Sequence, residues 1–150
     1  MIALDVNVLL YAFREDSDEH PRYRTWLEAA LSGVERIALL EPVMAAVLRI
    51  ATHPAIFRTP APRAIVGEFI DACFAAPAAV PLRAGERHFA LFRDLCDRAD
   101  CRGNLVQDAY IAALALEHNC TLVTTDRDFA RFPRLRWQHP LRDGRPVQNP

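Results

Sequence analysis

Lysine is missing from this chain: all 18 of its basic residues are arginine. The absence removes several chemistries at once. A Walker-type phosphate loop needs its Gly-Lys pair, and pyridoxal or Schiff-base enzymes need a side-chain amine. Haloacid-dehalogenase-type phosphatases, which usually place a lysine beside their paired aspartates, are disfavoured for the same reason. A phosphotransferase using Asp5 as nucleophile loses weight with them. The arginine bias is most simply a GC-rich coding signature and assigns no function. Paired cysteines are missing too. Cys73, Cys96, Cys101 and Cys120 form no Cys-x-x-Cys unit, and His88, His118 and His139 are not spaced as companion zinc ligands. Reduced thiols of a cytoplasmic protein are the expectation. The opening MIALDVNVLLYAF meets Asp5 early and has no basic leader, so neither a signal peptide nor a membrane span is expected there. Repeats, low-complexity tracts and domain-dividing linkers are also lacking.

What remains is a chain of 150 residues and 16.9 kDa, 51% hydrophobic and 25% charged. That is the balance of one globular domain. A domain of this size buries about 68–70% of its unfolded surface, enough to dispense with disulfides or structural zinc. The formal net charge of −1 argues against a general nucleic-acid coat but leaves room for a local basic patch.

Short apolar strands alternate with helical stretches along the chain. Strands are expected at Ile2–Leu4, Arg36–Leu40, Ala79–Leu82 and Thr121–Thr124, with a last edge strand at Leu135–Trp137. Helices are expected from Val8 to Phe13, from about Pro21 to Gly33, over Val43–Thr52, Arg63–Phe74 and Glu86–Ala99, and from Asn104 to Leu116. Asn104 with Gln107 resembles a capping box. Asp126–Phe132 reads as a short helical turn. This alternation predicts an α/β fold around a mostly parallel sheet, whose ligand crevice lies outside the carboxyl ends of the strands.

Acidic residues collect at those ends. Asp5 closes the first strand, Glu41 the second, and Asp126 follows the fourth; Asp108 is expected in the first turn of the preceding helix. Carboxylates converging on one crevice repel unless protons or a cation intervene. Oxygen-only donors select Mg²⁺ or Mn²⁺, which suits phosphodiester chemistry. The competing reading is capping, since Asp5, Asp108 and Asp126 all fall near expected helix starts. Asn7 and Thr124 stand near Asp5 and Asp126 and serve either reading.

The blocks IALDVNVLLYAF, LRIATHPAIF and GNLVQDAYIAALALEHNCTLVTTDRDFARF, with the trailing LRW, resemble the PIN-domain ribonucleases of the VapC toxin type. The resemblance implies a three-layer α/β/α sandwich for residues 1–140, with 141–150 as a C-terminal tail. It implies a Mg²⁺- or Mn²⁺-dependent endoribonuclease that is the toxin of a type II toxin–antitoxin system, a cognate VapB-type antitoxin, homodimers and no membrane association. By position, Asp5, Asp108 and Asp126 become the catalytic metal ligands, supported by Asn7 and Thr124, with Asp128 as a nearby further ligand. The family glutamate expected three residues before Arg49 is Ala46 here, which leaves Glu41 as its potential substitute. Arg127 and Arg131 head an arginine-rich C-terminal stretch (with Arg134, Arg136, Arg142 and Arg145, against Asp128 and Asp143) expected to bring RNA to an acidic site, with Phe132, Trp137 and His139 as stacking partners. The apolar clusters Phe57 with Ile65, Val66 and Phe69, and Leu9 with Phe13, are expected either as core or as an antitoxin or dimer contact. A PIN-fold module that binds RNA or protein with a weakened catalytic site is the alternative, resting on Ala46.

Overall fold

The computed structural model describes residues 1–142 and the strand 147–148. Six strands form one sheet: β1 (Ile2–Leu4), β2 (Ile37–Leu40), β3 (Ala79–Leu82), β4 (Thr121–Val123), β5 (Arg136–Gln138) and β6 (Val147–Gln148), in the order β3-β2-β1-β4-β5-β6. The first five are parallel, and β6 runs antiparallel beside β5. The helices are α1 (Val6–Phe13), α2 (His20–Ser32), α3 (Glu41–Ala51), α4 (Arg63–Ala75), α5 (His88–Arg98) and α6 (Asn104–Glu117), followed by a 3-10 turn over Arg127–Arg131.

The inner strands β1, β2 and β4 are short but nearly solid in apolar character, as strands covered on both faces must be. All four residues of β2 are fully buried, and β1 and β4 flank one another at the centre. Pro81 lies in β3, at the edge of the sheet, where its missing amide donor leaves no inner ladder broken. The expected edge strand near Leu135–Trp137 forms one residue later and is not an edge, because β6 pairs with it.

The order of the strands decides where a site can form. From β1 the chain steps outward to β2 and β3, with α1–α4 in the crossovers; it then returns past β1 to β4 through α5 and α6. Right-handed crossovers in opposite directions put these two helix groups on opposite faces, giving three layers. Beyond the paired carboxyl ends of β1 and β4 the chain leaves towards opposite faces, because the winding reverses there, and this opens a crevice. α1 packs on α2 and α3 and α3 on α4, while α5 pairs with α6. The Glu117 carboxylate at the end of α6 accepts from the Gly85 and Arg87 amides at 2.8 and 3.0 Å and pins the start of α5.

The start of α6 differs from the capping box expected at Asn104. Asn104 is the first helical residue, and the cap is Gly103, at φ +56°, with no side-chain capping bond. Glycine alone adopts that backbone cheaply, so the chain turns without recruiting Asn104. Asp108 consequently sits beyond the first turn, too far in to cap the helix. No helix among the described residues is long and apolar enough to cross a membrane.

Candidate active site

Asp5 occupies the crevice floor at the junction of β1 and α1. It is the N-cap of α1, and its Oδ1 accepts from the Val6 amide at 2.7 Å. Its Oδ2 accepts from the Thr124 hydroxyl at 2.6 Å and from Asn7 Nδ2 at 2.8 Å. The capping and ligand readings of this residue are thus compatible: the same bonds that start α1 lock the carboxylate's orientation. Thr124, fully buried, also accepts from the Asp126 amide at 3.0 Å and from Asn7 Nδ2 at 3.2 Å. Asn7 Oδ1 accepts from the Thr125 amide at 3.2 Å. Asn7 and Thr124 therefore tie the end of β4 to the start of α1, and Asp126 is placed through this tie. Asp126 Oδ1 caps the 3-10 turn by accepting from the Asp128 amide at 2.8 Å.

Asp5, Asp108 and Asp126 line one cavity of about 320 Å³ together with Ala46, Arg49 and Gln107. Asp5 comes from β1, Asp126 from beyond β4, and Asp108 from the second turn of α6. Their charges feel one another. Burial pushes the Asp5 carboxyl above its ordinary value; bonds from Thr124, Val6 and Asn7 pull the other way, and the Asp126 charge adds to the rise. Asp108 is pushed up to about 6, first by burial and then by the charges of Asp5, Asp126 and Asp128. Among the described residues, none of the three makes an ion pair, and Asp108 accepts no hydrogen bond.

This donor set is oxygen-only, negatively charged and uncompensated, which fits a hard divalent cation. No three Asp, Glu, His or Cys residues among those described stand ready-gathered at ligating positions.

The other anticipated residues fall in different places. Asp128 stands close enough for its charge to raise Asp108. Glu41 does not line the cavity: its carboxylate accepts from Arg83 Nε at 2.7 Å, at the surface. Ala46 does line it, so its methyl faces the crevice where the family glutamate was expected. Arg127 and Arg131 are exposed, with no ion pair among the described residues. Arg136 is instead engaged with the Asn119 carbonyl and side chain, and Arg134 approaches Asp94 at 3.7 Å. Phe132 is fully buried and stacks edge-on with Phe129, so it is core and not a base-stacking platform. Its aromatic character was legible, but its direction depended on packing. Trp137 is half-buried against the core, and His139 accepts from the Leu141 amide. Leu9 is core, whereas Phe13 meets Phe69 with ring centroids 5.1 Å apart. Arg145 and Asp143 lie outside the described residues.

Arg49 is the residue that sequence reasoning used only as a landmark. It is exposed in the last turn of α3, lines the acidic cavity, and has no ion-pair partner among the described residues. The signal available was its place in the LRIATHPAIF block, next to Ala46 by one helical turn.

Comparison with known proteins identifies the family and the fold. Residues 2–135 match the family described as PIN domain. Ribonuclease VapC43 of Mycobacterium tuberculosis is 46% identical over 141 residues, covering 94% of this chain and 96% of the relative. Ribonuclease VapC31 of the same species is 43% identical over 140 residues, covering 93% and 99%. A solved structure of VapBC2 from Rickettsia felis, bound to a DNA fragment from its promoter, superposes with a TM-score of 0.68 at 22% identity, over 93% of this chain and 98% of that one. With the sheet order, the crevice at its switch point and this full-length similarity in place, the chain belongs to the PIN-domain family, in its VapC ribonuclease branch.

Proposed function

We propose that this protein is an endoribonuclease that hydrolyses RNA phosphodiester bonds with Mg²⁺ or Mn²⁺, and that it is the toxin of a type II toxin–antitoxin pair. The observation that carries the reading is the trio Asp5, Asp108 and Asp126: three carboxylates from separate elements in one cavity, with Asp108 raised to about 6 by burial and by its neighbours. Asp5, Asp108 and Asp126 are the residues that would hold the cation. Bound there, it supplies a lowered pKa for water and charge stabilisation at a phosphoryl oxygen.

The chain's own residues do the rest. Thr124, Asn7 and the Val6 amide hold Asp5 in one rotamer, so its orientation is settled before substrate arrives. Thr124 also fixes the backbone at Asp126. Arg49 brings positive charge to a cavity that would otherwise repel a polyanion, and its five guanidinium donors suit phosphate oxygens. Arg127 and Arg131, exposed beside the Asp126 corner, extend that attraction along the strand. Among the described residues of the cavity there is no Ser, Cys or His nucleophile, consistent with direct attack by water.

The proposed partners are single-stranded RNA and a VapB-type antitoxin. Phe13, Leu27, Leu31, Ile65 and Phe69 contribute an apolar floor, rimmed by Glu15, Glu28, Glu68 and Arg24, to a cavity of about 520 Å³ between α1, α2 and α4, the surface best suited to an amphipathic antitoxin helix. Two copies of the chain are proposed to pair, which light scattering of the purified protein tests. The cytoplasm is the proposed location.

The decisive experiment incubates antitoxin-free protein with structured and unstructured RNAs plus Mg²⁺, Mn²⁺ or EDTA, with Asp5→Asn alongside. Metal-dependent cutting that disappears in the variant supports the nuclease. The second reading, a binding module, is favoured by one observation: Ala46 leaves the cavity one carboxylate short. Metal-induced stabilisation without cutting would select it, and no response to metal would sink both.

A further inference from the structure

A second cavity, of about 330 Å³, adjoins the acidic crevice and shares Asn7 with it. Asn7, Leu10, Tyr11 and Arg14 follow the helical repeat, so they lie along one face of α1, leading away from Asp5. Phe57, from the loop between α3 and α4, closes the far end, and Ser17 adds a hydroxyl. The volume is at the lower end of small-ligand sites.

Its chemistry is specific. The Arg14 guanidinium carbon lies 3.6 Å from the Phe57 ring centroid, a cation–π stack. Arg14 is only 9% exposed; Asp16 grips it through Nε at 2.8 Å and through the terminal nitrogen, and the Thr59 carbonyl accepts from it at 3.3 Å. The arginine is thus charge-paired and held at several points, and it stacks on one face of Phe57, leaving the ring's other face to the cavity. Tyr11, 37% exposed and packed on Tyr23 with centroids 4.9 Å apart, is a second aromatic wall. A site whose only cation is already paired does not attract phosphate. It offers π-faces and a few polar edges, the environment in which unstacked RNA bases settle.

We propose that this cavity is a nucleobase subsite for the nucleotide adjoining the scissile phosphate, and that it biases where the chain cuts. The inference rests on the ribonuclease reading for its place in the reaction, while the binding itself stands apart from it. An apolar side chain of a partner protein would also fit such walls; the shared Asn7 border with the carboxylate crevice favours the base.

The test has two arms. In the first, isotope-labelled protein in EDTA is titrated with the four ribonucleoside 5′-monophosphates and with ribose 5-phosphate, following the Tyr11 and Phe57 ring signals by NMR. Saturable shifts from at least one nucleotide, absent with the sugar phosphate, are expected. Phe57→Ala and Tyr11→Ala, each checked for folding by its amide spectrum, should weaken that binding about tenfold, the scale of one lost stacking contact. Equal shifts from ribose 5-phosphate, or silent rings with every nucleotide, overturn the subsite. In the second arm, cut ends from a mixed single-stranded RNA pool are sequenced for wild type and Phe57→Ala. A changed base distribution beside the cut supports the selecting role; an unchanged one overturns it. A wild type that binds nucleotides but cuts nothing overturns the nuclease reading, and the selecting role with it, leaving the base-binding result intact.

Discussion

Replacing Asp108 by asparagine should stabilise the metal-free protein while abolishing its cleavage. The folded chain raises the Asp108 carboxyl from its ordinary 3.8 to about 6. An acid whose folded-state pKa exceeds its unfolded one favours folding only while protonated, so stability falls as pH rises through that window. The penalty is absent below about pH 3.8 and complete above about pH 6. Two decades of proton affinity correspond to about 3 kcal/mol at ~1.4 kcal/mol each. Asp108 is only half-buried and opens onto solvent in the crevice, so screening removes at least half of this, leaving ~1–1.5 kcal/mol. For a chain of this length that is a rise of about 3–5 °C in Tm. The assay is thermal unfolding of wild type and Asp108→Asn in EDTA across the acidic-to-neutral range. The two curves should converge in acid and separate towards neutrality. Added Mn²⁺ should stabilise wild type more than the variant and narrow the gap. A variant less stable than wild type at neutral pH, or a difference independent of pH, would refute the electrostatic reasoning.

Three further outcomes are expected. Thr124→Val deletes a buried hydroxyl that serves Asp5, Asn7 and the Asp126 amide; it should cost ~1–3 kcal/mol in urea unfolding and most of the activity, with Thr124→Ser restoring both. Gly103→Ala meets nothing within 4 Å, so its cost is the backbone strain at φ +56° and ψ −128°, ~1–3 kcal/mol. Unchanged stability there would mean that the start of α6 adopts a different turn. Ala46→Glu puts a further carboxylate into the crevice. It should lower the Tm of the metal-free protein and tighten Mn²⁺ binding in calorimetry, and the failure of both would show that position 46 does not face the cation.

Much of the fold was legible along the chain because its punctuation is local. Asp5 closes an apolar run and starts a helix, Gly33 ends α2, and His53-Pro54 follows α3. Two of the errors have local causes as well. Asn104 has the type and spacing of a cap, but a neighbouring glycine took the role by adopting a backbone that no side chain announces. Phe132 looked like a surface aromatic in a basic stretch; the 3-10 turn rotates it inward onto Phe129. The cause for Glu41 is not local: it is the first residue of α3, just past β2, and Arg83, 42 residues on, draws its carboxylate away.

The candidate site divides along the same line. Residue type and strand-end position put Asp5 and Asp126 forward, with Asp108 on the helix before β4, but left capping and metal binding both open; the resemblance to PIN-domain ribonucleases is what named them as ligands. Their convergence was not readable that way. It depends on β1 and β4, far apart in sequence, lying side by side, and on Asn7 and Thr124 bonding across that seam. The place of Arg49 beside Ala46 in the crevice, and the Arg14–Phe57 stack next to it, depend likewise on helices packing over a sheet. Local pattern carries periodicity and chemistry, but which faces meet is settled by the winding of the whole chain and the burial it achieves.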